Sequence, residues 1–419
     1  MKNRSVINAL WMMSEKLVTL FGLFFVTSFV AKYIGPYRFG QLALAIAIFQ
    51  VVQVIAQMGC DNIIFKRVSQ KKLSGVKLIY STFFVRGCIY VVLSSLVLLY
   101  FFPEADSINF VFLASVCIAC FFTSMDVFVI YNDATLNSKF NTIANVIGLV
   151  VGLVLRYVIA YFEMSVYYLA LPIVLTTLIP FIIRLYYAPS APLIKLNDKI
   201  RYNKYLIYTG VPLVISTVSM TIYSRINQFS LSYFKGSYDL GIYSVALTLG
   251  TAWVFIGNAL AISFLSKIYA EKDNDIALSK ASGLSACVFI VLLVFPFFFY
   301  FFGKEIIQVL YGVKYLQAYN LLIILCISTV ITSLGFVSNR YIVKMSGYKY
   351  LSKKTVIILI CSIPISILMV YFFGMNGAAY SVLIIELLSL TIMNYFFQGG
   401  VILKMHLGAF NIKNIKNIK

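Results

Sequence analysis

Charge is scarce in this 419-residue chain: Asp, Glu, Lys and Arg make up 11% of it, against about 25% in an average soluble domain. A surface so poor in charge excludes an ordinary soluble globular protein. Acid is scarcer than base, with 14 Asp and Glu against 34 Lys and Arg, so the formal net charge is +20. One histidine, His406, excludes a catalytic dyad or a His-based metal site built within one chain. Neither a metal nor a cofactor is expected. The seven cysteines are odd in number and lie in or beside apolar stretches, which excludes an extracellular disulfide framework. Cys117-x-x-Cys120 sits in an apolar run without a second pair or a neighbouring His, so these two read as small buried hydrophobes. No nucleotide-binding motif is present, which argues against direct use of ATP. Lys2 and Arg4 precede an apolar stretch that holds Glu15 and Lys16 and lacks a small-x-small cleavage site, so an uncleaved first span is expected rather than a signal peptide.

What the chain has in excess is apolar surface. Apolar residues account for 61%, aromatics for 16%, and the mean hydropathy is +0.93. A bilayer-facing exterior must be apolar as well as the interior, so the chain reads as a polytopic membrane protein. A hydrocarbon core about 30 Å thick needs roughly 20 helical residues. Twelve segments meet that length: 8–31, 41–59, 79–101, 109–130, 141–161, 166–186, 207–233, 241–264, 282–302, 317–338, 355–373 and 375–397. With the N-terminus inside, 25 basic residues fall in inward-facing segments and five, Lys32, Arg38, Lys235, Lys304 and Lys314, in outward-facing loops. This asymmetry predicts cytoplasmic N- and C-termini and makes nucleic-acid binding superfluous as an explanation of the basic charge.

The longest break between spans predicts four parts: a six-helix lobe over 1–186, a cytoplasmic linker over 187–206, a second six-helix lobe over 207–397, and a basic cytoplasmic tail over 398–419. An internal repeat supports this division. Gly35-Pro-Tyr37-Arg-Phe39-Gly40-x4-Ala45 matches Gly236-Ser-Tyr238-Asp-Leu240-Gly241-x4-Ala246 at a constant offset of 201 residues. An even number of spans per half keeps the copies in one orientation, hence a parallel repeat about an axis along the membrane normal. The expected fold class is therefore all-α: about 12 transmembrane helices in two six-helix lobes related by a pseudo-two-fold along that normal. Such lobes, facing each other across a central cavity, belong to transporters that rock between inward-open and outward-open states.

Residues 31–45, Ala-Lys-Tyr-Ile-Gly-Pro-Tyr-Arg-Phe-Gly-Gln-Leu-Ala-Leu-Ala, resemble the first loop of the O-antigen or polysaccharide-repeat-unit flippases. These form the polysaccharide exporter branch of the multidrug, oligosaccharidyl-lipid and polysaccharide flippase superfamily. Met58-Gly-Cys-Asp61 running into Lys66-Arg67, Pro212-Leu-Val-Ile-Ser, Tyr223-Ser-Arg225-Ile-Asn227, Gly241-Ile-Tyr-Ser-Val-Ala246, Gly312-Val-Lys-Tyr315 and Gly374-Met-Asn-Gly377 are similar to further signatures. The resemblance implies a MATE-like fold and a bacterial inner-membrane flippase that moves an undecaprenyl-diphosphate-linked oligosaccharide outward by alternating access. It implies a monomer in the lipid bilayer, with polysaccharide polymerase machinery as a candidate partner. Where many relatives carry Asp after Arg-Ile in span 7, this chain has Asn227, which puts a carboxylate-based cation site there in doubt.

Seven ionisable residues fall inside spans: Glu15, Lys16, Arg86, Asp126, Arg156, Arg225 and Glu386. Each would cost about 2.5–3.5 kcal/mol facing lipid at the bilayer centre, so all should face the bundle or water. Arg225, Arg86, Lys16 and Arg156 are the anion-binding candidates, because guanidinium forks suit the oxygens of a diphosphate in a wet cavity. Pairing of Asp126 with Arg86 is the plainer structural alternative. Arg184, at the inner end of span 6, reads as a snorkelling anchor. Gln50, Gln53 and Gln57 share one helical face and are glycan-facing candidates, or interhelical glue. Glu386, Asp126 and Glu15 are the ion-coupling candidates. A multidrug cation antiporter of the same fold is the first competing function, although four bases against three acids inside the spans oppose it. A multi-span polymerase or glycosyltransferase is the second, and the short outer loops leave little room for its active site.

Overall fold

The computed structural model describes residues 27–411 except 104 and, within 1–26, Trp11, Val18 and Gly22. The expected first span, with Glu15 and Lys16, thus lies almost wholly outside the described residues. Among those described the fold is all-helical, as hydrocarbon demands: a helix satisfies its backbone polar groups within one segment. Nine helical runs are long and apolar enough to cross a bilayer, and a tenth is the pair Leu196–Val211 and Leu213–Phe234, bent by 45° where Pro212 interrupts it. The last run, Tyr348–Tyr395, breaks at Gly374 (φ 58°, ψ −133°) into two halves of spanning length. Each of the other eleven expected spans therefore has its helix.

Chain contacts divide the molecule into two compact units, residues 1–222 and 223–419. The first contains α1 (Ser28–Gln57), α2 (Cys60–Gln70), α3 (Lys72–Phe101), α4 (Ser107–Met125), α5 (Phe128–Ala134), α6 (Ser138–Tyr161) and α7 (Ala170–Tyr186). It also holds most of α8 (Leu196–Phe234), whose end opens the second unit. Then come α9 (Ser237–Thr251), α10 (Val254–Ala270), α11 (Asn274–Leu310), α12 (Ala318–Lys344), α13 (Tyr348–Leu390), α14 (Ile392–Tyr395) and α15 (Val401–Gly408).

Lipid tails are as apolar as Leu, so helices associate here through close packing rather than the hydrophobic effect. In the first unit, Phe49, Val52 and Ala56 of α1 pack with Tyr90 of α3 and with Leu113, Cys117 and Cys120 of α4. Both cysteines are free and buried in this apolar core. On α6, Gly152 admits Thr176 of α7 so closely that a Cβ would lie 2.2 Å from its Oγ1. In the second unit, Leu284, Val288 and Leu292 of α11 meet Val330, Val337 and Tyr341 of α12, and Ile402 and Met405 of α15 join the same core.

The repeat has a backbone counterpart. Gly35 (φ 75°, ψ 169°) and Gly236 (φ 88°, ψ −178°) occupy the same region, open essentially only to glycine, and a helix follows each directly. Gly312, ahead of the short turn Val313–Tyr315, has the same conformation (φ 91°, ψ 168°). Two other breaks shape the first unit. Met58 and Gly59 are both left-handed and separate α1 from α2. Asp126 (φ −78°, ψ 67°) ends α4 before α5 begins.

Candidate functional site

Some of the polar groups inside the spans gather at two of these breaks, Met58–Gly59 and Asp126. In the first unit Arg86 of α3 is fully enclosed, and its Nη1 donates to the Ser124 carbonyl at 3.3 Å, just before the Asp126 break. Its other electrostatic neighbours are Cys60 and Asp61, which open α2. One guanidinium thus reaches both the α1–α2 and the α4–α5 interruption. Its Nε and Nη2 hydrogen-bond to no described residue.

Asp126 does not pair with Arg86. Arg184 Nη2 lies 2.6 Å from Asp126 Oδ2, its Nε donates to the same oxygen at 2.7 Å, and its Nη1 donates to Asn145 Oδ1 at 2.8 Å. Arg184 is 6% exposed and so is no snorkelling anchor: it binds α7 to α6 and to the end of α4. A fixed carboxylate partner holds it inside the helix bundle, a choice that position near a span end could not reveal. Arg156 of α6 is half-buried and makes no hydrogen bond or ion pair with a described residue. Gln50, Gln53 and Gln57 are all half-buried on one face of α1.

In the second unit Tyr223 of α8 donates to Glu386 Oε1 on α13 at 2.6 Å. The nearest cation bearing on Glu386 is Lys354, which forms no ion pair with it. Lys354 is 5% exposed, and its Nζ donates to Asn339 Oδ1 at 2.9 Å and Asn394 Oδ1 at 2.8 Å, tying α12, α13 and α14 together. By sequence, Lys354 stands beside Lys353 among the 25 bases of the inward-facing segments. The signal that separates them is helical phase: neighbours on a helix point about 100° apart, so one of an adjacent pair faces inward. Arg225 Nη1 donates to Gln228 Oε1 at 3.0 Å, one turn along α8. Asn227 is buried and accepts from Ser366 and Ser381 hydroxyls at 2.6 and 2.5 Å, so a hydrogen-bonded knot stands at the position of the missing carboxylate.

Three groups lie outside the membrane-spanning runs or pair across their ends. Asp106 accepts from Arg38 and from Gln41 Nε2, the latter at 3.1 Å. Partial burial pushes its carboxyl upward, but the hydrogen bonds and the Arg38 charge hold it below the usual carboxylate range. Glu271 is held low by its hydrogen bond from Lys280 at 2.6 Å. His406 of α15 bonds Ser338 through Nε2 at 2.9 Å and Tyr395 through Nδ1 at 3.2 Å, and burial pulls it down to about 4. No group of three or more His, Cys, Asp or Glu side chains that could hold a metal ion occurs among the described residues.

A family model described as "Polysaccharide biosynthesis protein" matches residues 29–320. Over 212 residues the chain is 25% identical to the capsular polysaccharide biosynthesis protein CapF of Staphylococcus aureus, an alignment covering 48% of this chain and 53% of the relative. The chain therefore spans about half the length of the curated relative it matches. Among solved structures, the lipid II flippase MurJ in an inward closed conformation superimposes with a TM-score of 0.69 at 16% identity, covering 96% of this chain and 90% of that one. An inward-facing multidrug resistance MATE family transporter of the MOP superfamily gives 0.65 at 14% identity, with 96% and 95% covered. At such identities these likenesses establish the shared fold.

Proposed function

The chain belongs to the polysaccharide biosynthesis protein family, and from that premise we propose that this MOP-superfamily transporter is a flippase for a polyprenyl-diphosphate-linked oligosaccharide. It would act in the bacterial inner membrane, as a monomer with both termini cytoplasmic, and deliver O-antigen or similar repeat units outward to polymerase machinery by alternating access. The observation that carries the reading is the sign and state of the charges inside the spans. Arg86 and Arg156 are cations within helices of spanning length that no described carboxylate pairs. Retaining such a group costs about 2.5–3.5 kcal/mol if it faces lipid. An anionic cargo offsets that cost, and a diphosphate matches the guanidinium fork.

Arg225, Arg86, Lys16 and Arg156 are assigned to the diphosphate, with Arg86 reached only once the helix breaks around it open. Gln50, Gln53 and Gln57 are assigned to sugar hydroxyls. Of the coupling candidates, Asp126 is neutralised by Arg184, which leaves Glu386, hydrogen-bonded by Tyr223 near Lys354, and Glu15, which lies outside the described residues.

A second reading, a multidrug cation antiporter, draws support from the shared MATE fold and from Glu386. The bases inside the spans oppose it, since an organic cation would be repelled. Flipping in proteoliposomes separates the two. Arg225→Ala and Arg86→Ala should abolish movement of an undecaprenyl-diphosphate-linked glycan at near-normal protein levels, and Lys at either site should keep part of it. Normal glycan flipping by Arg225→Gln would refute the assignment.

A further inference from the structure

The short helix α2 and the first part of α8 enclose a groove that the transport pathway proposed above does not use. Their backbones meet at two glycines. A Cβ on Gly210 would lie 2.5 Å from the Met58 carbonyl oxygen, and one on Gly59 would lie 2.8 Å from Leu213 Cβ. From that contact the helices diverge and leave a cavity of about 210 Å³ between them. One wall is a single helical stripe, Asn62, Lys66 and Gln70, at spacing i, i+4, i+8, with Arg67 beside it. The opposite wall is Tyr205 and Thr209 at the same spacing, and the narrow end is closed by the apolar side chains of Ile63 and Leu213.

The polar lining consists of two cations with amide and hydroxyl groups, and no carboxylate lines the cavity. Arg67 is held in place: its Nε donates to Ser74 Oγ at 3.0 Å and its guanidinium lies 5.6 Å from the Tyr205 ring centre. This fixes the fork while its Nη groups make no hydrogen bond to a described residue. Lys66 is exposed and unpaired among the described residues, at the cavity mouth. A fixed guanidinium with a second cation one residue away, backed by amide donors and closed by an apolar end, suits a ligand with a phosphate head and a hydrocarbon tail. Phe65 of α2 and Tyr208 of α8 are exposed aromatics next to the groove, as befits a position at the membrane interface.

We propose that the α2–α8 groove is a binding site for the phosphate head of a lipid, held by Lys66 and Arg67 with its first hydrocarbon segment against Ile63 and Leu213. The room is about that of seven water molecules, which accommodates a phosphate ester. Bulk anionic phospholipids and a polyprenyl-phosphate carrier present the same chemistry, and only the second of these occupants rests on the function proposed above.

Binding to the full-length protein in detergent, read by native mass spectrometry, tests it with three probes: short-chain phosphatidylglycerol, short-chain phosphatidylcholine and farnesyl diphosphate. Wild type should bind the two anionic probes in preference to phosphatidylcholine. Lys66→Gln/Arg67→Gln should weaken that binding about tenfold or more, the loss expected for charge-assisted contacts. Thr209→Phe, which fills the groove with the charges intact, should weaken binding equally. Lys71→Gln/Lys199→Gln, with the same change in net charge outside the groove, should bind as wild type. Lys66→Glu alters one exposed side chain and serves where the double variant is poorly folded. Equal affinity for the two anionic probes assigns the site to bilayer phospholipid, and a preference for farnesyl diphosphate assigns it to the carrier. Unchanged binding by both Lys66→Glu and Thr209→Phe, or an equal loss in the Lys71/Lys199 control, would overturn the proposal.

Discussion

An ion pair enclosed among helices cannot be dismantled one member at a time. Asp126 and Arg184 are both nearly inaccessible, so Arg184→Gln or Asp126→Asn should each destabilise the fold by about 3–5 kcal/mol, since each leaves a buried charge without its partner. Replacing the pair by Leu at 126 and Met at 184 should restore most of that loss. Thermal unfolding of the purified protein measures all three. His406 supplies a second residue-scale expectation. Its folded pKa lies near 4, below the unfolded value of about 6.5, so its contribution is full above pH 6.5. That contribution disappears as the pH falls from there through 4. The loss is on the order of 3 kcal/mol, and His406→Gln should flatten the profile in this window. Asp106, held low by Arg38, loses its contribution only at more acidic pH, so the two groups separate along the same titration. These partnerships escaped sequence reading for a shared reason. A base near a span end looks identical whether it snorkels to the headgroups, as Arg184 was expected to do, or turns inward to a carboxylate. Lys354, buried between two Asn acceptors, was hidden among the cytoplasmic lysines in the same way.

Spans and the repeat were legible in the sequence because length and apolar composition are what a bilayer selects. The breaks within them were not. The apolar run over 109–130 continues past Asp126, so hydropathy alone cannot mark where that helix stops, whereas the span 41–59 ends at Met58–Gly59, where Asp61, Asn62 and Lys66 follow. The glycines of the repeat are more informative, because Gly35 and Gly236 share a conformation that a Cβ disfavours. Gly35→Ala and Gly236→Ala should each cost about 1–3 kcal/mol through backbone strain alone, since neither position has an atom within 4 Å of an added Cβ. Gly335, which also has open space but an ordinary helical backbone, should accept Ala without loss. Folded yield and thermal stability of the three variants check this. Loss at Gly335 as large as at the other two would show that strain is not the cause.

At the scale of the whole molecule, the account joins an orientation to a cargo. The asymmetry of 25 inward bases against five outward ones sets the expected topology. Cysteine labelling in intact cells should therefore report Asp106, Ser237 and Lys314 outside, and Lys72, Lys199 and Lys353 inside. Reversed labelling in the second half alone would contradict a parallel repeat. The cargo is the central claim, and it rests on Arg86 and Arg156, cations kept inside spans without a carboxylate partner among the described residues, and on membership of a polysaccharide biosynthesis family. Depleting the protein in its own cell and identifying which lipid-linked species accumulate on the cytoplasmic face of the membrane tests that claim most directly. The account predicts a build-up of polyprenyl-diphosphate-linked repeat units facing the cytoplasm, reversed by the wild-type chain and not by Arg225→Ala. Undiminished delivery of those units to the outer face, with retention of organic cations inside the cell instead, would contradict it.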